Sequence, residues 1–143
     1  MPNAKVLLVD DEVEFTATLA ERLESRGLDV DVSADGLSAI ERTRKRTYDA
    51  IVLDLAMPGI DGVETLKRLL AENPDLQVIL LTGHATVDKG VEAMRSGAAE
   101  VLEKPADLQA LLEKIETAQT QRVLLSERRL EDTMTDILRR RGW

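Results

Sequence analysis

A short, wholly apolar run that ends on a carboxylate constrains the fold of this chain more than any other feature. Residues 50–53 read Ala-Ile-Val-Leu, and Asp54 follows them directly. An apolar run of this length, without polar alternation, is typical of a strand buried on both faces of a parallel sheet. Pro58 and Gly59 then break the chain, so the pattern predicts a strand that ends at Asp54. Taken alone, Asp54 is better explained as a residue that ends a strand or caps a turn than as a functional residue.

Similar apolar runs recur along the chain and alternate with helical patterns. The predicted strands cover residues 5–10, 28–32, 50–54, 77–82 and 100–103. Apolar residues at helical spacing lie between these runs and after the last one. Parallel strands need crossover helices, so this alternation predicts an α/β fold with a doubly wound, five-stranded parallel sheet. We expect the flavodoxin-like strand order 2-1-3-4-5.

Polar side chains follow four of these predicted strands, where ligands bind in open α/β sheets. They are Asp10, Asp11, Asp54, Thr82 and Lys104. Clustered carboxylates repel each other unless a cation joins them, and oxygen ligands of this kind suit Mg²⁺. A lysine and a hydroxyl beside an ionised aspartate would complete a site for phosphoryl transfer onto the carboxylate. Each residue has an ordinary structural explanation, but five suitable groups at four strand ends favour a site.

Composition bounds the class of protein. The chain has 143 residues, enough for one domain, and 27 acidic against 19 basic residues give a formal charge of −8. This charge disfavours direct binding to nucleic acid or to an anionic membrane surface. There is no cysteine, and no apolar run approaches the roughly 20 residues that span a bilayer. We therefore expect a cytoplasmic protein without disulfides or thiolate metal sites.

Four motifs resemble one known family. They are Val-Asp-Asp-Glu at 9–12, Leu-Asp-Leu-Ala-Met-Pro-Gly-Ile-Asp-Gly at 53–62, Leu-Thr-Gly-His at 81–84 and Glu-Lys-Pro at 103–105. Together they resemble the receiver domain of bacterial two-component response regulators, over about residues 5–121. The second and third motifs are similar to receivers attached to NtrC-type transcription activators.

The resemblance implies a phosphoprotein in a phosphorelay. Asp54 would accept a phosphoryl group from the phosphohistidine of a sensor histidine kinase or from a phosphotransfer protein. It also implies that Asp11, Asp54 and the backbone carbonyl of Ala56 bind Mg²⁺, with Asp10 assisting through water. The protein would signal by a conformational switch and would not be an enzyme, apart from slow loss of its own phosphoryl group.

The resemblance also assigns switch residues. Thr82 and Lys104 would bind the phosphoryl group, and Ala56 and His84 occupy the positions that tune hydrolysis in the family. We expect His84 to be a solvated loop imidazole and not a metal ligand. The family usually has an aromatic residue where this chain has Val101, so we expect the signal to travel through Thr82 and the loop at residues 83–87.

Other functions on this architecture remain alternatives. A Mg²⁺-dependent phosphatase with an aspartyl nucleophile would carry a second acid two residues later, where this chain has Ala56. A flavodoxin-like electron carrier would need aromatic rings to stack the flavin, and the chain has only three aromatic residues. An interaction module that works without phosphorylation is the main remaining alternative.

The last 22 residues form a predicted helical extension, residues 122–143, beyond a receiver domain at 1–121. An amphipathic pattern is formed by Val123, Leu130, Met134, Ile137 and Leu138. Arg122 and Arg129 fall where the preceding helix would continue an apolar face, so we do not expect a sustained coiled coil. The extension either docks on the receiver, a second copy or a partner, or it is a fraying linker. A homodimer through the last receiver helix or this tail is one option.

Overall fold

The fold is a five-stranded parallel sheet with helices on both faces, seen in a computed structural model that describes residues 3–57, 59–83, 87–104 and 107–140. The elements are β1 Lys5–Val9, α1 Val13–Glu24, β2 Asp29–Ser33, α2 Gly36–Lys45, β3 Ala50–Asp54, α3 Gly62–Glu72, β4 Val78–Thr82, α4 Val87–Arg95, β5 Glu100–Glu103 and α5 Leu108–Arg140. The strand order is β2-β1-β3-β4-β5. The predicted fold class and strand order are therefore confirmed. Predicted boundaries differ by a few residues, and β1 ends one residue before Asp10.

Two apolar cores cover the two faces of the sheet. Alternate residues of β3 enter opposite cores, with Ile51 and Leu53 on one face and Val52 on the other. Every residue of β3 is buried, as its continuous apolar run requires. Burying one such aliphatic side chain stabilises a fold by roughly 1.5–3 kcal/mol. The sheet is thus a rigid base for the residues that follow each strand.

The turn from β3 into α3 is tight beside Asp54. The N–H of Gly62 donates a hydrogen bond to the carbonyl oxygen of Leu55 at 2.9 Å. A Cβ atom at Gly62 would lie 2.5 Å from the backbone oxygen of Asp54. Asp61 caps α3 by accepting a hydrogen bond from the N–H of Glu64 at 2.9 Å, which is one half of a capping box. Glycine at position 62 thus lets α3 begin directly beside the end of β3.

The last helix continues without a break into the predicted extension. Residues 108–140 contain neither glycine nor proline, so nothing in the sequence ends the helix at residue 121. Arg122 Nε lies 2.6 Å from Asp49 Oδ1, and Arg129 pairs with Asp75. The two arginines therefore replace apolar contacts with ion pairs on the face that packs against the receiver. None of the described helices is long and apolar enough to cross a membrane.

Candidate functional site

Three side chains from the ends of different strands meet at one edge of the sheet. Asp54 is the last residue of β3, Asp10 follows β1, and Lys104 follows β5. Lys104 Nζ lies 2.8 Å from Asp10 Oδ2 and 3.4 Å from Asp54 Oδ1. Asp10 and Asp54 are only 3% and 5% exposed. The structure thus brings together three of the residues that the strand ends predicted, and it buries both carboxylates.

Two neighbours of Lys104 are not among the site residues predicted from the sequence. Glu12 Oε1 lies 3.6 Å from Lys104 Nζ, and the ring centroid of Phe15 lies 4.6 Å from it. The spacing of Phe15 and Leu19 along α1 fits ordinary core packing, so it gives no sign of a contact with Lys104. Burial opposes the charge on Lys104, but its hydrogen bond to Asp10 and the two buried carboxylates outweigh burial and raise its pKa. Lys104 is therefore fully charged at neutral pH.

Asp54 carries an unusually basic carboxylate. Burial, first, and the negative charge of Asp10, second, raise the pKa of Asp54 to about 6. Lys104 and the N–H of Ala56, 3.4 Å from Asp54 Oδ1, act in the opposite direction without cancelling the effect. The site thus holds more negative charge than the described surrounding groups stabilise.

The chemistry of the cluster fits a hard divalent cation. Carboxylate oxygens of Asp10, Glu12 and Asp54 lie within 4.8 Å of one another. Three carboxylates and one ammonium group leave two negative charges, which one divalent cation would balance. Asp11 and Glu12 are both exposed, but among the described residues only Glu12 joins this group. The run of acids at 10–12 was the available signal for Glu12, but spacing alone did not show which of these carboxylates lies near Asp54.

The remaining candidate residues to be placed are Thr82, Val101 and His84. Thr82 ends β4, and its hydroxyl donates a hydrogen bond to the carbonyl oxygen of Gly83 at 3.0 Å. Val101 is half-buried on the α4 side of the sheet. It lies close to Gly90 of α4, where an added Cβ atom would be 3.7 Å from Cγ1 of Val101. The prediction for His84 falls outside the described residues. Thr82 thus lies at the correct sheet edge, with its hydroxyl bonded to the neighbouring backbone.

The family model of the response regulator receiver domain matches residues 6–116. This chain belongs to that family. The matched segment runs from β1 into α5, so it includes the whole acidic cluster, Lys104 and Thr82. The receiver therefore belongs to the response regulators of two-component systems, as the four motifs indicated.

Similar proteins agree with this assignment. The receiver is 37% identical over 106 residues to the transcriptional regulatory protein ZraR of Klebsiella oxytoca, covering 74% of this chain and 24% of ZraR. It is 40% identical over 128 residues to the C4-dicarboxylate transport transcriptional regulatory protein DctD of Pseudomonas aeruginosa, covering 89% of this chain and 28% of DctD. The chain thus spans about a quarter of the length of these relatives.

Solved structures show the same fold. A response regulator receiver domain protein from Clostridium thermocellum superposes with a TM-score of 0.80 at 31% identity, covering 85% of this chain and 98% of that one. The receiver domain of NtrX from Brucella abortus gives a TM-score of 0.76 at 30% identity, covering 80% of this chain and 98% of that one. Both neighbours are thus matched over almost their whole length, by 80–85% of this chain.

Proposed function

We propose that this receiver accepts a phosphoryl group on Asp54 in the presence of Mg²⁺. The observation that carries the proposal is the buried carboxylate of Asp54 at the end of the central strand, which lies beside Lys104 and a second buried acid, Asp10. An oxygen of Asp54 attacks the phosphorus of a donor phosphohistidine and forms an oxygen–phosphorus bond. The phosphorus–nitrogen bond breaks, and its electron pair leaves with the histidine nitrogen. Asp54 is ionised when it attacks, so no general base is needed above a pH of about 6.

Lys104 is proposed to change partners during this transfer. Its ammonium group balances Asp10 and Asp54 in the free protein, at 2.8 and 3.4 Å. Once Asp54 is phosphorylated, its carboxylate charge is replaced by the charge of the phosphoryl oxygens. Lys104 then pairs with one of these oxygens. Thr82, at the end of the neighbouring strand, exchanges its bond to Gly83 for another phosphoryl oxygen. That exchange would report phosphorylation to the loop at residues 83–87.

Asp10, Asp11, Asp54 and the backbone carbonyl of Ala56 are the proposed Mg²⁺ ligands, directly or through water. Mg²⁺ would neutralise the phosphoryl oxygens when bound. Glu12 is a competing candidate for the role of Asp11, because its carboxylate, although exposed, lies within 4.8 Å of those of Asp10 and Asp54. The variants Asp11→Asn and Glu12→Gln separate the two, because each removes one charge with little change in shape. We expect Asp11→Asn to weaken Mg²⁺ affinity more in a calorimetric titration, and the reverse ranking would assign the role to Glu12.

The switch itself is proposed to work without an aromatic residue at position 101. Val101 lies beneath α4 and has no ring that could swing. Ala56 and His84 occupy the two positions that tune hydrolysis in the family, and His84 is proposed to be a solvated loop imidazole there. Replacing His84 with alanine is expected to leave the dephosphorylation rate within severalfold of wild type, since we assign it no catalytic part.

The proposed partners are a sensor histidine kinase or a phosphotransfer protein. The receiver unit is proposed to be residues 1–121, with residues 122–143 as its extension. ZraR and DctD are named as transcriptional regulators, and the chain covers only their receiver portion. Its proposed role is accordingly that of a phosphorylation switch, which is not an enzyme acting on a separate substrate.

The proposal is tested by locating the acyl phosphate. The protein is incubated with Mg²⁺ and acetyl phosphate, reduced with borohydride, which converts an acyl phosphate to the alcohol, and digested for peptide mass spectrometry. We expect homoserine at position 54 in wild type and much less in Lys104→Met. Thr135→Ser on the exposed end of α5 is the matched control and should label as wild type does. Absence of labelling at position 54 would favour the interaction module that works without phosphorylation.

A further inference from the structure

Phe15 places its aromatic ring against the ammonium group of Lys104. Lys104 Nζ lies over the ring, 4.6 Å from its centroid. An aromatic face attracts a cation within about 6 Å of its centroid. Lys104 follows β5 and Phe15 lies in the first turn of α1, so two distant elements meet in this contact. The ring thus adds a neutral partner to the ion pairs that Lys104 makes with Asp10 and Asp54.

The first turn of α1 is fixed relative to Lys104 by Asp10. Asp10 Oδ1 accepts a hydrogen bond from the N–H of Glu12 at 2.9 Å, and Oδ2 of the same carboxylate pairs with Lys104 at 2.8 Å. The N–H of Thr16 donates a hydrogen bond to the carbonyl oxygen of Glu12 at 3.1 Å, which begins the helix beside Phe15. One buried carboxylate therefore positions both partners of the ring contact.

Core packing alone does not require an aromatic residue at position 15. Leu19 lies one turn later on α1 and packs, half-buried like Phe15, against the same apolar core. An aliphatic side chain thus serves the core at the neighbouring position, but it has no electron-rich face to attract an ammonium group. The ring of Phe15 therefore supplies a property that leucine lacks, next to the cation of the proposed phosphoacceptor site.

A neutral anchor suits a lysine that has to change partners. The side chain of Lys104 is 18% exposed, and its Nζ also lies 3.6 Å from the exposed carboxylate of Glu12. A flexible lysine can follow such an exposed acid towards water. The ring of Phe15 opposes this movement, because its attraction is lost when the ammonium group leaves the ring face. Unlike a carboxylate, the ring carries no net charge that would repel an incoming phosphoryl group.

We propose that Phe15 is a positioning residue, whose ring holds the ammonium group of Lys104 beside Asp54 before and during phosphoryl transfer. The inference rests on the proposed role of Asp54 as the phosphoacceptor, and it adds a residue of α1 to that site. Phe15 is assigned no contact with the phosphoryl group and acts only through Lys104. Loss of the ring's attraction is expected to slow phosphorylation of Asp54 about three- to tenfold.

Fluorinated phenylalanine tests the proposal with little change in shape. Phe15 is the only phenylalanine of the chain, so growth of a phenylalanine auxotroph on mono-, di- or trifluorinated phenylalanine replaces that residue alone. Each fluorine withdraws electrons from the ring face and weakens its attraction for a cation. The rate constant of Asp54 phosphorylation by acetyl phosphate and Mg²⁺ should fall with each added fluorine. The same series in Lys104→Met should show no trend, since no cation then lies over the ring.

Two substitutions separate the ring from packing in the same assay. Phe15→Leu keeps an apolar side chain and should slow phosphorylation about three- to tenfold, whereas Phe15→Tyr keeps the ring and should stay within about twofold of wild type. Leu19→Met, on the same face of α1, is the matched control and should be phosphorylated as wild type is. Equal slowing by Phe15→Leu and Leu19→Met would show a packing role and overturn the proposal.

Fluorine NMR tests the contact without phosphorylation. The monofluorinated protein carries one kind of fluorine, and its resonance should shift when Lys104→Met removes the cation over the ring. Lys67→Met removes the same charge from α3, where Lys67 pairs with Glu92, and should leave the resonance in place. An unchanged resonance in Lys104→Met would overturn the proposal.

The outcomes separate this inference from the proposal on which it rests. Absence of phosphorylation at Asp54 in wild type would overturn the phosphoacceptor assignment, and the role of Phe15 in transfer would fail with it. Phosphorylation of wild type at a rate that does not depend on fluorination would overturn the positioning role alone. The same trend with fluorination in Lys104→Met would do so as well, because the ring would then act without the lysine.

Discussion

Replacing Asp54 with asparagine is expected to stabilise the metal-free protein, although it removes the proposed phosphoacceptor. The reason is that folding buries this carboxylate beside Asp10, which raises its pKa from an ordinary value of 3.8 to about 6. An acid whose pKa is higher in the folded state favours folding while it is protonated. That contribution is present below pH 4 and is lost as pH rises through about 6. At neutral pH wild type therefore carries an unfavourable buried charge that asparagine lacks.

The size of the effect follows from the two pKa values. A difference between 3.8 and about 6 corresponds to roughly 3 kcal/mol at neutral pH, from about 1.36 kcal/mol per pKa unit. Asp54 shares its site with Asp10 and Lys104, and these groups readjust when the charge is removed. We therefore expect Asp54→Asn to raise the free energy of unfolding by about 1–3 kcal/mol at neutral pH.

Urea unfolding in EDTA measures this gain directly. The gain in the free energy of unfolding should shrink as pH falls from 7 to about 4, because wild-type Asp54 is then protonated, and so uncharged, in the folded state. Adding Mg²⁺ should stabilise wild type more than Asp54→Asn, because a cation that binds only the folded state raises its stability. The reasoning would be refuted if Asp54→Asn were less stable than wild type in EDTA at neutral pH. A gain independent of pH would refute it as well.

Three further predictions follow from the geometry. Gly62→Ala should lower the free energy of unfolding by at least about 2 kcal/mol, because the added Cβ would meet backbone atoms of residues 54 and 55. Gly83→Ala should be near neutral in the same urea assay, because an added Cβ there would meet no atom within 4 Å. Arg122→Gln should destabilise the fold more than Arg129→Gln in thermal unfolding, because of the two partners, Asp49 and Asp75, only Asp49 of Arg122 is buried. Equal effects of the two variants would contradict this. The single tyrosine, Tyr48, should ionise near pH 12 in an absorbance titration, since burial and a hydrogen bond to the Asp31 carboxylate raise its pKa to about 12. The free energy of unfolding should therefore fall between about pH 10 and 12. Ionisation of Tyr48 in the folded protein near pH 10 would contradict this.

The sheet and the end of β3 could be predicted because the relevant signals are local. A continuous apolar run with a terminal carboxylate reports both burial and the position of Asp54. Asp10 and Lys104 followed from the same argument, because the carboxyl ends of parallel strands share one edge. The strand order needed a known architecture as a guide, since no local pattern states which strands are neighbours.

The remaining features depend on contacts between distant residues. Arg122 and Arg129 looked like interruptions of an apolar face, because their partners lie 73 and 54 residues away. Phe15 fitted an ordinary core stripe, and only the structure places its ring near Lys104. Glu12 was one of three consecutive acids, whose individual directions depend on the turn after β1. In each case the sequence named the residue type without its partner.

Intact mass measurement after incubation with Mg²⁺ and acetyl phosphate tests the central claim most directly. The account predicts that wild type gains the mass of one phosphoryl group, that EDTA abolishes the gain, and that Asp54→Asn shows none. Lys104 and the buried acids would then serve an acceptor carboxylate, as their distances of 2.8 and 3.4 Å suggest. No adduct on wild type, or an equal adduct on Asp54→Asn, would contradict the assignment of Asp54 as the phosphoacceptor.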